Sequence, residues 1–312
     1  MLAPVVLFVY NRCDHLEKTL EALSKNTLAK ESDLYIFSDG AKNEKVKHAV
    51  ENVRQYINSD EWKGKFKSIT IIESKENKGL ANSIISGVSK VMEIHEKAIV
   101  IEDDAVTAPD FLEFMNNSLD FYEHSNKIWA ISGYTVLKTF PKDYLHEVFM
   151  LGRFSSYAWA TWKKNWEKVD WSVSDYKSFC TNFKQRRKFN RYGQDLSLML
   201  DSQVAGKTNS WAIRFDYAMF KNKMYSVYPC KTRVKNIGYD VGTHVTKKNT
   251  RIEKFKVEIE KDLKMPKLEH IEEDSRIVKA FSKYFKKNLL KRCILYIKVV
   301  GFNLIKVKRG SL

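Results

Sequence analysis

Three consecutive carboxylates, Glu102-Asp103-Asp104, follow the apolar run Ala98-Ile99-Val100-Ile101. Acids packed this closely repel one another, so the sequence demands a cation beside them. A divalent ion carrying a phosphorylated substrate meets that demand, because hard cations take carboxylate oxygens and share their shell with substrate phosphates. The apolar run reads as a buried strand, and ligands of open α/β sheets sit at strand carboxyl ends. The same acids could instead cap the next helix or hold a structural cation. Ser38-Asp39-Gly40 closes another such run, and Asp39 is either a turn residue or a carboxylate offered to a base or ribose. No glycine-rich phosphate cradle is present: Val9-Tyr10-Asn11-Arg12-Cys13 lacks a GxGxxG, and no GxxxxGK[ST] occurs. Phosphates must then be held by a metal and basic side chains.

The elements that position these residues follow from periodicity. Residues 4–10 read as a strand, and Leu16, Leu20 and Leu23 mark a helix that Asp14 can cap. A strand over 33–40 precedes a helix through Val46, Val50, Val53 and Ile57. A strand over 68–73, a turn at Asn77-Lys78-Gly79, a helix over 80–94 and the strand at 98–101 complete a βαβαβαβ order. Parallel strands need helical crossovers, so this order predicts a doubly wound parallel sheet. Beyond Pro109 a helix is expected over 110–124 and a strand over 128–133. Between Phe149 and Trp171 lies an aromatic-rich segment with Trp159, Trp162, Trp166 and Trp171. The three-residue spacing of Trp159 and Trp162 suggests the core side of a helix, with sugar stacking as the functional alternative. Residues 184–192 form a basic patch, 194–205 a helix, and 236–244 a polar, glycine-punctuated loop.

With 312 residues, 44% of them hydrophobic, the chain can bury a substantial core. Aromatics reach 13%, which suits a filled core or a sugar-stacking pocket. Cys13, Cys180, Cys230 and Cys293 form no CxxC pair, so neither zinc nor redox chemistry is indicated. Met1-Leu2-Ala3-Pro4 runs directly into an apolar strand without the features of a secretion signal, and a cytoplasmic protein is expected. The net charge of +16 is concentrated: residues 275–312 hold 11 Lys or Arg and no Asp or Glu, leaving +5 for the remainder. Ile277 to Val300 reads as a basic amphipathic helix, too interrupted by charge to span a bilayer but suited to an interface plane.

Taken together, Phe8-Val9-Tyr10-Asn11-Arg12, Ser38-Asp39-Gly40 and Val100 to Asp104 followed by Ala108-Pro109-Asp110-Phe111 resemble the GT-A glycosyltransferases. The likeness is to bacterial polysaccharide enzymes related to N-acetylglucosaminyltransferase I. It continues through Ile128 to Gly133, Gly152 to Trp166 and Ser210 to His244, covering about residues 4–245. The resemblance implies an α/β GT-A fold, Rossmann-like, with a mostly parallel central sheet flanked by helices and a C-terminal basic helical tail. It divides the chain into a nucleotide-sugar-binding half (1–133), an acceptor-binding catalytic half (134–246) and the tail (247–312).

The same resemblance assigns roles. Asp104 becomes the ligand of Mn2+ or Mg2+, Glu102 a ribose contact, and Asp103 a neighbour of the donor sugar or metal shell. Tyr10 and Arg12 lie near the nucleotide, Asp39 near the base, and Lys78 near the base or phosphates. His244 is offered to the metal or diphosphate, with an ordinary loop histidine as the alternative. An inverting transferase also needs a carboxylate to take the acceptor's proton. In related enzymes it follows the tryptophan matching Trp211, where this chain has Ala212 and Ile213. Asp216 is the replacement, with Asp240 and Asp195 as rivals and an Arg214 salt bridge as the structural alternative for Asp216.

The implied partners are a nucleotide-sugar donor, of the UDP-sugar class by the same resemblance, a glycan or lipid-linked oligosaccharide acceptor, and an anionic membrane surface met by the tail. The enzyme would sit peripherally on the inner face of the cytoplasmic membrane, building surface polysaccharide. Two rivals come from other classes: a degenerate GT-A module that binds without turnover, and a nucleic-acid-binding protein suggested by the basic charge. The second is disfavoured, because the charge sits in one tail without the aromatic interleaving of such modules, and no nucleic acid is expected.

Overall fold

The computed structural model describes residues 1–238 and 255–286. Three β-α units and a fourth strand open the chain. They are β1 (Val5–Val9) with α1 (Cys13–Ser24), β2 (Asp33–Ser38) with α2 (Glu44–Ile57), β3 (Ser68–Glu73) with α3 (Leu80–Met92), and β4 (Lys97–Glu102). After β4 come β5 (Ala105–Thr107), α4 (Phe111–Phe121), β6 (Ile128–Ser132), β7 (Val148–Leu151) and β8 (Trp159–Trp162). Helices α5 (Lys163–Trp166), α6 (Tyr176–Thr181), α7 (Phe183–Phe189), α8 (Leu196–Val204) and α9 (Trp211–Lys221) lead to β9 (Tyr225–Pro229) and β10 (Val234–Asn236). The last described helix is α10 (Ser275–Tyr284).

Eight strands form one sheet in the order β3-β2-β1-β4-β8-β6-β9-β7. β3, β2, β1 and β4 pair in parallel, as the sequence predicts, while β8 is antiparallel to both β4 and β6. β9 runs parallel to β6 and β7 antiparallel to β9, so only β8 and β7 oppose the common direction. The fold is therefore α/β with a mostly parallel central sheet flanked by helices. β1 is Val-Val-Leu-Phe-Val, buried at every position, which is what a central strand covered on both faces requires. β5 and β10 form a separate antiparallel pair beside the main sheet.

Three sequence expectations change here. Trp159 and Trp162 lie in strand β8 rather than a helix, and both are buried. Their segment is short and apolar, a pattern in which helix and strand cannot be separated by periodicity. The boundary at residue 133 divides one sheet, since β8 lies between β4 and β6. Part of the 184–192 basic patch turns inward, because Arg186 in α7 pairs with Asp201 at 2.6 and 2.8 Å and is 5% exposed.

The segment expected to be a basic helical tail is integral where it is described. Residues 255–274 run along the domain: Tyr134 donates to the Phe255 carbonyl at 2.6 Å, Arg233 to that of Lys264 at 2.6 Å, and Tyr122 to that of Glu269 at 2.6 Å. Glu258 and Glu260 pair with Lys235 and Lys231, each at 2.7 Å. Asp274 then caps α10, whose Ile277, Val278 and Phe281 are buried, with Phe281 against Tyr228 of β9. The apolar face of α10 is thus used by its own domain. No helix among the described residues is long and apolar enough to cross a membrane.

If α10 belongs to the folded unit, Phe281→Ala should cost about 3–5 kcal/mol of unfolding free energy. Urea denaturation checks this, and an unchanged midpoint would mean that α10 docks without contributing to stability.

Candidate functional site

The register brings the predicted residues of the first half to one sheet edge. Phe8 pairs with Glu102 and Val9 with Ser38, so the segments following β1, β2 and β4 leave side by side. Arg12, just before α1, places its guanidinium between two successive acids: it pairs with Asp103 and with Asp104, the latter at 2.9 Å. Thr19 of α1 donates to the Asp103 carbonyl at 2.9 Å, which fixes the turn between β4 and β5. Asp103 is 4% exposed, whereas Glu102 and Asp104 are half-buried.

Asp39 sits at the neighbouring strand end. Its carboxylate accepts from the backbone N–H of Gly40, Lys78 and Gly79, each at 2.9 Å, and from Asn77 Nδ2 at 3.1 Å. Both oxygens are taken up in holding the turn that opens α3. Asp39 therefore positions Lys78, whose side chain is exposed. Tyr10 joins the first two segments, its hydroxyl accepting from the Lys42 N–H at 3.2 Å.

The acids are short of positive charge. Burial, with repulsion from Asp104 and Asp103, pushes Glu102 up to about 8; burial also pushes Asp103 up to about 6 against the pull of Arg12. One guanidinium faces three carboxylates, and the donor set is all oxygen, which suits a hard divalent cation. Among the described residues no three His, Cys, Asp or Glu side chains converge closely enough to encage an ion alone. A cation here would accordingly draw most of its shell from phosphate oxygens and solvent.

No local pattern in the sequence signals what covers Asp104. After β10, the Ile237 N–H donates to the Asp104 carbonyl at 2.9 Å, and Asn236 Nδ2 reaches Asp104 Oδ1 at 3.4 Å. Gly238 lies against the same carboxylate: a Cβ there would overlap Asp104 Oδ2 and stand 3.1 Å from Arg12 Nη1. Only the pairing of β5 with β10, across more than a hundred residues, brings this segment over the acids.

The acids named for proton transfer are placed differently. Asp195 forms a bidentate pair with Arg153, at 2.8 and 3.2 Å, with both partners under 10% exposed. Asp216 lies on α9, 4% exposed, with Oδ1 accepting from the Phe154 N–H at 3.0 Å. Burial pushes its carboxyl up to about 7, partly offset by nearby Arg153. Arg214 does not pair with Asp216; it donates to the Ser210 and Trp171 carbonyls and to Asn209 Oδ1, at 3.1, 3.0 and 2.9 Å. Positions two apart on a helix face nearly opposite ways, which separates them. Asp240 and His244 lie outside the described residues.

No family model matches the sequence, and neither does any curated protein. Solved structures do share features of the fold. TarS from S. aureus aligns at a TM-score of 0.39 and 12% identity over 55% of this chain, which spans 30% of TarS. A shorter TarS in complex with UDP-GlcNAc aligns at 0.42 and 11% identity, over 75% of this chain and 58% of that one. The mannosyltransferase PcManGT from Pyrobaculum calidifontis, in complex with GDP-Man and Mn2+, aligns at 0.38 and 12% identity, over 72% of this chain and 70% of that one. The functional assignment below rests on this chain's own residues.

Asp216 also carries a pH dependence. Its carboxyl keeps its proton in the folded state up to about 7 but loses it near the ordinary aspartate value once unfolded. Between these values the native state binds more protons, so stability falls as pH rises. Asp216→Asn should therefore gain melting temperature relative to the parent between pH 5 and pH 8, read by calorimetry across that range. A constant difference would show that Asp216 is already ionised in the fold.

Proposed function

We propose that the chain is a metal-dependent GT-A glycosyltransferase that moves a sugar from a nucleoside-diphosphate donor, of the UDP-sugar class, to a glycan or lipid-linked oligosaccharide. The observation that carries this reading is the charge balance at the edge shared by β1, β2 and β4, where among the described residues Arg12 is the one cation paired with the run Glu102 to Asp104, through Asp103 and Asp104. A buried edge so short of cations suits a ligand that arrives with one, and a nucleoside diphosphate with its divalent ion does so.

Asp104 is assigned to hold the ion and Glu102 the ribose. Arg12 keeps Asp103 and Asp104 in place, with its second role beside the diphosphate. Asp39 fixes the Asn77–Gly79 turn and so presents Lys78 near the base or phosphates. A divalent ion bound there offsets the charge of the departing diphosphate. In an inverting single displacement the acceptor oxygen bonds to the anomeric carbon as the bond to the diphosphate breaks, and the hydroxyl proton passes to a carboxylate. Asp195 and Asp216 are engaged with Arg153 and backbone, so we assign that proton to Asp240, two positions after Gly238 in sequence. His244 remains a proposed partner of the ion or diphosphate. Peripheral attachment to an anionic membrane is assigned to residues 287–312, which carry seven Lys or Arg and no acid.

The engagement of Asp195 and Asp216 also favours a second reading, a module that binds donor without turnover. Nucleotide release from UDP-sugars decides between them. On the enzyme reading, release requires Mn2+ or Mg2+, falls to background in EDTA and is lost in Asp104→Asn; full activity in EDTA sinks the assignment. Asp240→Asn should lower transfer on the order of 10²-fold or more with donor binding retained, the usual worth of a general base. Asp216→Asn should change that rate little.

A further inference from the structure

Of the chain's 7 tryptophans, Trp62, Trp129, Trp159, Trp162, Trp166 and Trp211 are each at most 3% exposed, and Trp171 alone is half-buried. An indole left at the surface is held here with unusual firmness. Arg214, itself 9% exposed, donates to the Trp171 carbonyl at 3.0 Å and lies 5.7 Å from the indole centroid. The ring packs on Trp166 at 4.7 Å. On either side the backbone is pinned: Asp170 accepts from the backbone N–H and hydroxyl of both Ser172 and Ser174, at 2.5 to 2.9 Å. Val173 is held at φ 56°, a conformation that costs a β-branched residue energy and persists only where its surroundings impose it.

Arg214 links Trp171 to two amide side chains. Arg214 also donates to Asn209 Oδ1 at 2.9 Å, and Asn209 Nδ2 reaches Asn82 Oδ1 at 3.4 Å; both asparagines are exposed. Asn82 lies in the first turn of α3, one turn beyond the Asn77–Gly79 segment that Asp39 holds. Helix α3 follows β3 and leads into β4, so its first turn sits at the sheet edge that carries Glu102 to Asp104. A rigid aromatic side chain linked through a guanidinium to two exposed amides has the composition that matches a pyranose, whose C–H face is apolar and whose rim is hydroxyl.

We propose that Trp171, with Asn209 and Asn82 joined to it through Arg214, is a sugar-binding platform that seats the acceptor saccharide. Its place in an acceptor site rests on the glycosyltransferase reading; its binding of a sugar ring does not. Arg214 is a positioning residue, and the turn from Asp170 to Ser174 fixes the backbone that carries the indole, which packs against Trp166 at the margin of the core.

The fluorescently labelled full chain on an oligosaccharide array, without donor or metal, tests the platform. The parent should retain particular saccharides, and those saccharides in solution should shield the accessible tryptophan from acrylamide. Trp171→Ala should bind them about tenfold more weakly, and Trp171→Tyr should recover most of the loss. Asn82→Ala, an exposed change that spares the fold, should weaken binding as well. Retention of no saccharide by the parent, or equal retention by Trp171→Ala, overturns the proposal. If UDP-sugars with Mn2+ shield Trp171 and free oligosaccharides do not, the platform belongs to the donor and the acceptor assignment is overturned. Saccharide binding without any nucleotide release would instead defeat the transferase reading and leave the platform standing.

Discussion

The pairing of Arg12 with Asp103 and Asp104 is the interaction on which the rest depends. Asp103 is buried, and a buried carboxylate without a counter-charge costs several kcal/mol. Arg12 comes from the segment after β1 and the acids from the segment after β4, so the pair ties together the carboxyl ends of two adjacent strands. Thr19 secures the Asp103 carbonyl from α1, and Ile237 secures that of Asp104 from beyond β10. The turn is thereby fixed from two directions while its charge is left incompletely balanced. Among the described residues Arg12 meets two of the three acids, and on the proposed reading the remaining deficit is what an arriving cation would fill.

Much of this was legible before any coordinates. The first strands are continuous apolar runs because both faces are covered, and the helices between them carry clear periodicity, so the β-α order and the convergence of Arg12, Asp39 and Glu102 to Asp104 followed directly. What failed depends on contacts remote in sequence. Asp39 pairs with a turn nearly forty residues away, and no local pattern distinguishes such a clamp from a ligand contact. For Asp216 the sequence offers a proton acceptor or a salt bridge to neighbouring Arg214; Arg214 bonds elsewhere, and burial and the Phe154 N–H define the surroundings of Asp216. β8 inserts antiparallel next to β4, and four residues with a tryptophan at each end fit a helix as well as a strand.

The aromatic surplus resolves in the same way. Trp159, Trp166, Trp211, Phe154 and Phe215 pack together on one face of the sheet, in the cluster that also contains Val6, Phe8 and Ile84. These rings fill the space between the sheet and the pair α3 and α9 with few side chains of large area. The abundance of aromatics is therefore chiefly a statement about the core, and Trp171 stands out because it does not join the rule.

The charge distribution gives the site its logic. The chain carries +16 overall, yet the edge holding Glu102 to Asp104 is locally acidic. A basic protein draws polyanions from a distance, while short-range repulsion decides what can be seated. A bare diphosphate arriving at this edge meets three carboxylates and a guanidinium already engaged with two of them. A diphosphate with its divalent cation meets the same groups as ligands. On the proposed reading the long-range field would admit nucleotides in general and the acids would select those that bring an ion; the two effects oppose each other in sign and together would favour one form of the donor.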